Sequence, residues 1–378
     1  MKKILTLFAA AMLITACSNE DGTQEGYQPS TSPIAFEVTD NGSLTRALGE
    51  IKSSTDFQGT LFGVFASYTG KLKYENTTVS PDFMCNQPIK YEGSNWTYAP
   101  VKYWPNDASE YVSFFAYAPY EPNPADDGRC IIDMSKWDDK GDPWLNYRLV
   151  ADPFNDDVDP MYQQVDLLYA VNEGSTGVAD DDTPWLDQQK PEVNDKVKFT
   201  FKHALACVGD KITIQMSEAL SQKLANYAKL KVTSVKIDYK NLTNKARLVL
   251  KCRNIPDWRE IVSGELTVSR TLNLTGPWTP STAAQEISTD KGLFYIPLQV
   301  QGTEAPVAEV TLNYTVEIQA TGKTFNGEAT GTFPLSLNAM EGKKQPIALN
   351  LGVNIDMQHL IYQLDNDPAT EPSYAPKF

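Results

Sequence analysis

The residues that could support acid–base or nucleophilic catalysis are few in this chain of 378 residues. Its two histidines are His203 and His359, and no GxSxG, phosphate-loop or dinucleotide-binding motif is present. His203 ends an alternating strand pattern, where a packed or hydrogen-bonded histidine is the commoner role. Carboxylates are abundant, as glycoside hydrolysis needs, but no spacing selects a pair. The sequence therefore predicts no catalytic residue and a protein that is not an enzyme.

Metal ligation is the next chemistry to consider, because acidic residues cluster in loops. Calcium needs oxygen ligands at set spacings around a turn glycine, and zinc needs clustered histidine and cysteine ligands. Neither pattern occurs, so solvated loop charge is the preferred interpretation, and we expect no metal site and no cofactor. The acidic clusters are Asp126-Asp127, Asp138-Asp139, Asp156-Asp157 and Asp180-Asp181-Asp182.

Four cysteines follow the N-terminal region at wide spacings and without a CxxC motif. In an exported protein they can form two disulfides in any of three pairings. Free buried thiols that behave as small hydrophobic side chains are an equal alternative. These cysteines are Cys85, Cys130, Cys207 and Cys252.

Cys17 is the residue with the clearest chemical prediction. Lys2 and Lys3 precede a short apolar run over residues 4–14, and small residues lead to the thiol. This order is typical of a secretory signal over residues 1–17, and its end resembles a bacterial lipobox. There the cysteine sulfur receives a diacylglycerol, the peptide before it is removed, and the new N-terminus is acylated, which gives a stable membrane anchor. A plain signal peptide with a chance cysteine is the alternative.

Composition and charge narrow the class of protein. Hydrophobic residues make up 41% of the chain and aromatic residues 11%, so a substantial core can form. The formal net charge of −15 repels phosphate backbones and excludes nucleic acid as a partner. No later segment is apolar over the roughly 20 residues that a membrane helix requires.

Short strand patterns separated by turns fill most of the chain, and they occur in two runs. A polar stretch over residues 172–196 separates the runs and predicts domains over residues 47–195 and 196–378. We therefore expect an all-β protein with two antiparallel β-sandwiches. Residues 217–227 predict one short helix, with Ser217 as its cap and Leu220, Leu224 and Tyr227 at helical spacing.

Several motifs occur in an order that resembles one known family, the fimbrillins, or type V pilins, of Gram-negative gut and oral bacteria. The lipobox is one of them, and the others lie between residues 88 and 206. They read YEGSNWTY (91–98), PVKYWPN (100–106), VSFFAYAPY (112–120), VDLLYA (165–170) and FTFKHALA (199–206). The resemblance implies two transthyretin-like sandwiches and transport to the cell surface as an outer-membrane lipoprotein precursor.

The resemblance also implies that a protease removes an N-terminal propeptide from the precursor. Residues 18–46 are expected to be a propeptide, with a polar tether and a first strand whose apolar face carries Ile34, Phe36 and Val38. An arginine-specific protease is expected to cut after Arg46, which leaves Ala47 as the new N-terminus. In the family, removal of the first strand opens an apolar groove with unpaired backbone groups.

A strand from the C-terminal region of another fimbrillin subunit then fills that groove, which makes a homo- or hetero-polymer. The candidate donor strand here spans residues 346–355 and alternates Ile347, Leu349, Leu351 and Val353 on one face. The main hypothesis is therefore a structural subunit of a fimbrium.

The alternative hypothesis is a lipid-anchored surface adhesin that keeps its lipid on Cys17 and never polymerises. Such an anchor or tip subunit would present its loops to a host or bacterial surface receptor. The mature N-terminus separates the two hypotheses, because Ala47 fits a stalk subunit and acylated Cys17 fits an anchor.

Overall fold

The computed structural model describes residues 26–39, 57–122, 132–155, 157, 163–172, 182–193, 195–225, 228–260, 265–288, 291–299, 301–320, 322–337 and 344–352. Within these ranges β-strands dominate, accompanied by one short α-helix and a 3-10 turn at Tyr74–Asn76. The predicted all-β fold class is therefore confirmed. Its transthyretin-like topology stays a prediction.

Strands rich in aromatic and β-branched residues, which suit a pleated and half-buried surface, begin close to the start of the described chain. In the part up to residue 203 they are β1 (Pro29–Pro33), β2 (Phe36–Thr39), β3 (Phe62–Gly70), β4 (Met84–Glu92), β5 (Asn95–Thr97), β6 (Tyr103–Pro105), β7 (Tyr111–Ala118), β8 (Ile132–Met134), β9 (Trp144–Arg148), β10 (Leu168–Val171), β11 (Trp185–Gln188) and β12 (Val197–His203).

The later strands are longer on average and more regularly alternating. They are β13 (Ala206–Met216), β14 (Ala228–Thr243), β15 (Lys245–Val249), β16 (Asp257–Glu260), β17 (Glu265–Trp278), β18 (Gln285–Ser288), β19 (Leu293–Tyr295), β20 (Val307–Ile318), β21 (Thr324–Pro334) and β22 (Lys344–Leu351). Helix α1 (Glu218–Leu224) connects β13 to β14.

The first sheet has the strand order β2-β12-β10-β7-β3-β4-β5, and β11 also pairs with β7. Its central strand β7 contains no charged residue, as expected for a strand that is covered on both faces. Strand β2 lies at one edge of this sheet, and β1 pairs separately with β6. The sheet therefore ends at a strand that comes from the N-terminal part of the chain.

Two four-stranded sheets are built from the later part of the chain. One has the order β17-β14-β20-β21, and in the other β13 pairs with β18, β19 and β22. Apolar side chains of both sheets form one core, in which Ile237 of β14 and Leu312 of β20 join Leu349 of β22. Strand β22 therefore contributes to the centre of this core.

A further four-stranded sheet, with the order β16-β15-β9-β8, combines strands from early and late parts of the chain. Strand β9 pairs with β15 through five consecutive residue pairs, from Lys245–Arg148 to Val249–Trp144. The predicted domain boundary at residues 195/196 stays a prediction, but these two strands, one from each side of it, share a sheet.

Two strand pairs depart from the expected antiparallel arrangement. Strand β2 runs parallel to β12, and β22 runs parallel to β13, whereas the other described pairs are antiparallel. Parallel neighbours require a long crossover connection, so they pair segments that are distant in the sequence. Both exceptions therefore involve segments near the ends of the described chain.

The predicted helix is present in shortened form. Ser217 caps it, because its side chain accepts a hydrogen bond from the Leu220 backbone N–H at 3.2 Å. Leu220 and Leu224 are buried. Tyr227, which the helical spacing also included, lies outside the described residues.

Candidate functional site

The segment that was predicted as the first strand lies in the core of the first sheet. Ile34 is 2% exposed and Phe36 is 1% exposed, while Val38 is half-buried against the same cluster. Strand β2 begins at Phe36, two residues after the predicted start at Ile34, and among the described strands it pairs in the sheet with β12 alone. A buried segment at a sheet edge is the geometry that strand exchange requires.

Aromatic rings form the pocket around Phe36. Its ring stacks on Phe199 of β12 at a centroid distance of 5.6 Å. It also meets Phe114 edge-on at 6.0 Å and Tyr98 at 5.5 Å. Burial of one such side chain stabilises the fold by about 1.5–3 kcal/mol. The pocket therefore binds the segment through one large apolar anchor.

Hydrogen bonds fix the same segment along its length. The Ile34 N–H donates to the Lys102 carbonyl oxygen at 2.9 Å, and the Val197 N–H donates to the Ala35 carbonyl oxygen at 2.9 Å. The Tyr98 hydroxyl donates to the Ile34 carbonyl oxygen at 2.8 Å. Burial raises the pKa of Tyr98 far above its usual range, so the phenol stays a neutral donor.

A second attachment precedes β2 and was not predicted. Residues 29–33 were expected to belong to a flexible tether, but they form β1, which pairs with β6. Tyr27 packs edge-on against Tyr68 at 5.3 Å and Phe83 at 5.2 Å. The sequence pattern did not predict this strand, because its polar residues and prolines show no apolar alternation. Proline is tolerated at an edge position, and a single tyrosine is the apolar anchor. We call residues 27–39 the leader segment.

The predicted donor strand is β22, and it lies in the later core. Ile347 and Leu349 are 0% exposed, and Leu351 is 1% exposed. The parallel register places Leu349 beside Ile214 of β13. The alternating apolar side chains that identified the candidate donor strand therefore face the core of the same chain.

Both ends of β22 are fastened to neighbouring elements. At its start, the Lys344 Nζ lies 3.3 Å from the Asp210 Oδ2 of β13, with side-chain exposures of 19% and 14%. At its end, the Ser217 N–H donates to the Leu351 carbonyl oxygen at 2.8 Å. Release of β22 requires these contacts to break together with the burial of three apolar side chains.

Four predicted site residues lie outside the described residues: Cys17, Arg46, Ala47 and Val353. Arg46 belongs to residues 40–56, which connect the leader segment to Phe57. Phe57 is 0% exposed and belongs to the same core cluster as Phe36. A cut after Arg46 would therefore separate two segments that are both packed in the first core.

In the described part of the chain, His203 and Cys252 carry groups that could react, and both residues are buried. His203 and Asp166 form a buried pair, with the Nδ1 and Oδ1 atoms 3.0 Å apart. Cys252 is a free thiol whose pKa burial raises to about 12. No group of three His, Cys, Asp or Glu side chains in that part could hold a metal ion. No described helix is both long and apolar enough to cross a bilayer.

Comparison with a solved structure supports the fold. The crystal structure of a fimbrial protein from Bacteroides vulgatus ATCC 8482 superposes with a TM-score of 0.57 at 20% sequence identity, and the match covers 88% of this chain and 98% of that one. This likeness shows that the two proteins share an all-β fold.

The sequence comparison is more specific. The family described as Fimbrillin-like matches residues 45–360. A relative, the fimbrium subunit Fim1C of Phocaeicola vulgatus, is 25% identical over 346 residues, which are 84% of this chain and 83% of that protein. The chain belongs to the fimbrillin-like family, as its motifs indicated.

Proposed function

We propose that this chain is a structural subunit of a cell-surface fimbrium that polymerises by exchange of an edge strand. The position of the leader segment carries the proposal. The segment supplies a buried aromatic side chain to the core, and its strand β2 pairs with β12 at the edge of the sheet. Similarity to the fimbrium subunit Fim1C supports the same role.

Maturation begins, in this proposal, with export as a lipoprotein that is acylated on Cys17 and held in the outer membrane. An arginine-specific protease then cuts between Arg46 and Ala47. The cut leaves the leader segment bound only by non-covalent contacts. Its departure exposes the Phe36 pocket and the backbone of β12 over residues 197–200, and an incoming strand satisfies both.

The donor in this proposal is β22 of a neighbouring subunit. Its apolar side chains lose burial in their own core and regain it in the groove, so the hydrophobic contribution of about 1.5–3 kcal/mol per side chain is roughly conserved. Strand β22 spans 8 residues and β2 spans 4. The donor is therefore long enough to replace β2 and part of the segment before it.

A second function is favoured by a specific observation. Strand β22 already pairs with β13 of its own chain, and Ile347, Leu349 and Leu351 are buried there. A subunit that keeps this strand does not donate it. Such a protein would act as a lipid-anchored adhesin, at the base or tip of a fimbrium, and bind a surface receptor.

The N-terminal residue of protein purified from the cell surface tests the proposal. A stalk subunit is expected to begin at Ala47, and an Arg46→Ala variant is expected to form no polymer. Lys52→Ala, which changes a basic residue between Arg46 and Phe57, is the matched control and should polymerise normally. An acylated Cys17 in wild-type surface protein would contradict the stalk role and support the anchored adhesin.

A further inference from the structure

A buried amine and a buried carboxyl group are in direct contact beneath the first sheet. The Lys202 Nζ of β12 donates a hydrogen bond to the Asp182 Oδ2, and the two side chains are only 2% and 3% exposed. The other lysine–carboxylate pairs in the described ranges have at least one side chain that is more than a tenth exposed. Among the lysine–carboxylate pairs of the described residues, this pair is therefore unusual in that both side chains are removed from water.

Both members of the pair are buried inside the protein. Lys202 lies between Phe201 and His203 on β12, and Phe201 packs in the core cluster that holds Phe36. Successive strand residues face opposite sides, so Lys202 faces the other cluster, as does its register partner Tyr169 of β10. Tyr169 is 1% exposed. The pair thus sits among buried side chains on this side of the sheet.

Burial changes the chemistry that the two groups favour. In general, burial of two ions costs their hydration, and exchange of one proton between an ammonium and a carboxylate in contact gives an uncharged pair. The products are a neutral amine, which is a nucleophile, and a carboxylic acid, which has a hydroxyl leaving group. Two groups that are held in an orientation suited to attack can reach an effective concentration on the order of 10⁵ M.

We infer that Lys202 and Asp182 are joined by an amide bond in the folded protein. In this step the Lys202 Nζ attacks the Asp182 Cγ, and a C–N bond forms. One carboxyl C–O bond breaks, and that oxygen leaves as water with one proton from the acid and one from the amine. Carbon and nitrogen keep their oxidation states, so no oxidant, reductant or further reactant is needed.

The cross-link would connect two positions that matter for the groove. Strand β12 carries the leader segment on one side and β10 on the other. Asp182 precedes Thr183, which is bridged to Asn172 just after β10. An amide bond between positions 20 residues apart would hold β12 in place while β2 is exchanged. The inference does not depend on strand exchange and stands on the buried pair alone.

Mass spectrometry of the purified full chain tests this inference. The folded wild-type protein is expected to weigh one water molecule less than its sequence requires. A proteolytic digest should yield a branched peptide that joins the Lys202 and Asp182 fragments. Linear peptides that contain unmodified Lys202 and Asp182, or a water loss without the branched peptide, as a succinimide at an aspartate gives, would overturn it.

Two variants sharpen the result. Lys202→Arg keeps the positive charge but cannot form the amide, so it should show the full sequence mass. Lys71→Arg alters an exposed pair with Asp107, whose N–O distance is 2.8 Å, and should keep the wild-type mass deficit. If Lys202→Arg does not fold, the wild-type digest decides the question by itself.

Discussion

The two parallel edge strands of this protein resemble each other in position and differ in how they are held. Strand β2 spans 4 residues and places Phe36 in a ring of aromatic side chains, whereas β22 spans 8 residues and buries alternating aliphatic side chains. Their partners, β12 and β13, follow each other directly in the sequence. Strands β2 and β22 therefore pair with two strands that are consecutive in the sequence but belong to different sheets.

This difference bears on how each strand could be removed. The leader segment is anchored by Tyr27, Ile34, Phe36 and Val38 and is followed by residues 40–56, which contain Arg46. Strand β22 combines three fully buried side chains with fastened ends. Under the proposal, a cut after Arg46 leaves the leader segment held by non-covalent contacts alone, whereas release of β22 needs a replacement site that offers equal burial.

The largest expected effect comes from Phe36→Ala. Loss of this buried ring should lower the unfolding free energy of the uncut chain by about 3–5 kcal/mol, measured by urea denaturation. The same change should leave an assembled filament unaltered, because the leader segment has left it. The half-buried Val38→Ala is the control and should cost less. Equal destabilisation of filaments would mean that the leader segment remains in place.

Leu349→Ala is expected to destabilise both the uncut chain and the assembled filament. Strand β22 is buried in its own chain before assembly and, under the proposal, in a neighbour afterwards, so about 2–5 kcal/mol should be lost from the uncut chain. Filaments should also dissociate at lower denaturant. Leu337→Ala, at a residue that is 39% exposed, is the control. Filaments of unchanged stability would exclude β22 as the donor.

Tyr98→Phe removes a hydrogen bond to the leader segment, together with two longer contacts, each 3.3 Å, between the same hydroxyl and the Lys102 backbone. The variant removes the donor to the Ile34 carbonyl oxygen, at 2.8 Å, and should cost the uncut chain about 1 kcal/mol. Tyr103→Phe, at an exposed ring, should cost nothing measurable. After a cut at Arg46, Tyr98→Phe should also speed release of the leader peptide, followed by chromatography. An unchanged release rate would mean that this hydrogen bond does not help to hold the leader peptide.

The smallest effect is expected at the start of β22. Lys344→Met removes the pair with Asp210, whose partial burial suggests a loss of about 1 kcal/mol or less. Limited proteolysis should then cut the β22 region faster. Lys240→Met, which removes the more exposed pair with Glu309, is the control. If both variants are cut at the wild-type rate, the pair does not restrain β22.

Local patterns predicted the longer strands and the helix, because alternation and capping depend on nearby residues. Strands β8, β9, β11, β16 and β18, each three to five residues long, were not predicted, since they lie in polar, turn-rich stretches. The apolar alternation at Ile34, Phe36 and at Ile347, Leu349 corresponds to buried faces in the structure. Ser217 caps helix α1 as its residue type and spacing indicated. Strand β1 was missed, since its polar residues and prolines carry no apolar alternation.

Long-range pairing could not be predicted from the same patterns. The parallel neighbours of β2 and β22 lie far away in the sequence, and alternation alone does not specify a partner or its direction. The pairing of β9 with β15 is another example, because it joins strands from opposite sides of the predicted boundary. The contact of Lys202 with Asp182 likewise depends on tertiary structure. The interpretation of Asp182 as solvated loop charge was therefore wrong, because its side chain is only 3% exposed and pairs with a buried lysine.

The most direct test of the central claim is to identify which segment pairs with Val197–Thr200 of β12 in assembled filaments, by a structure of the filament. The account predicts that β22 of a neighbouring subunit occupies this edge and that residues 27–39 are absent from it. A filament in which each subunit retains its own Phe36 between Phe114 and Phe199 would contradict the account.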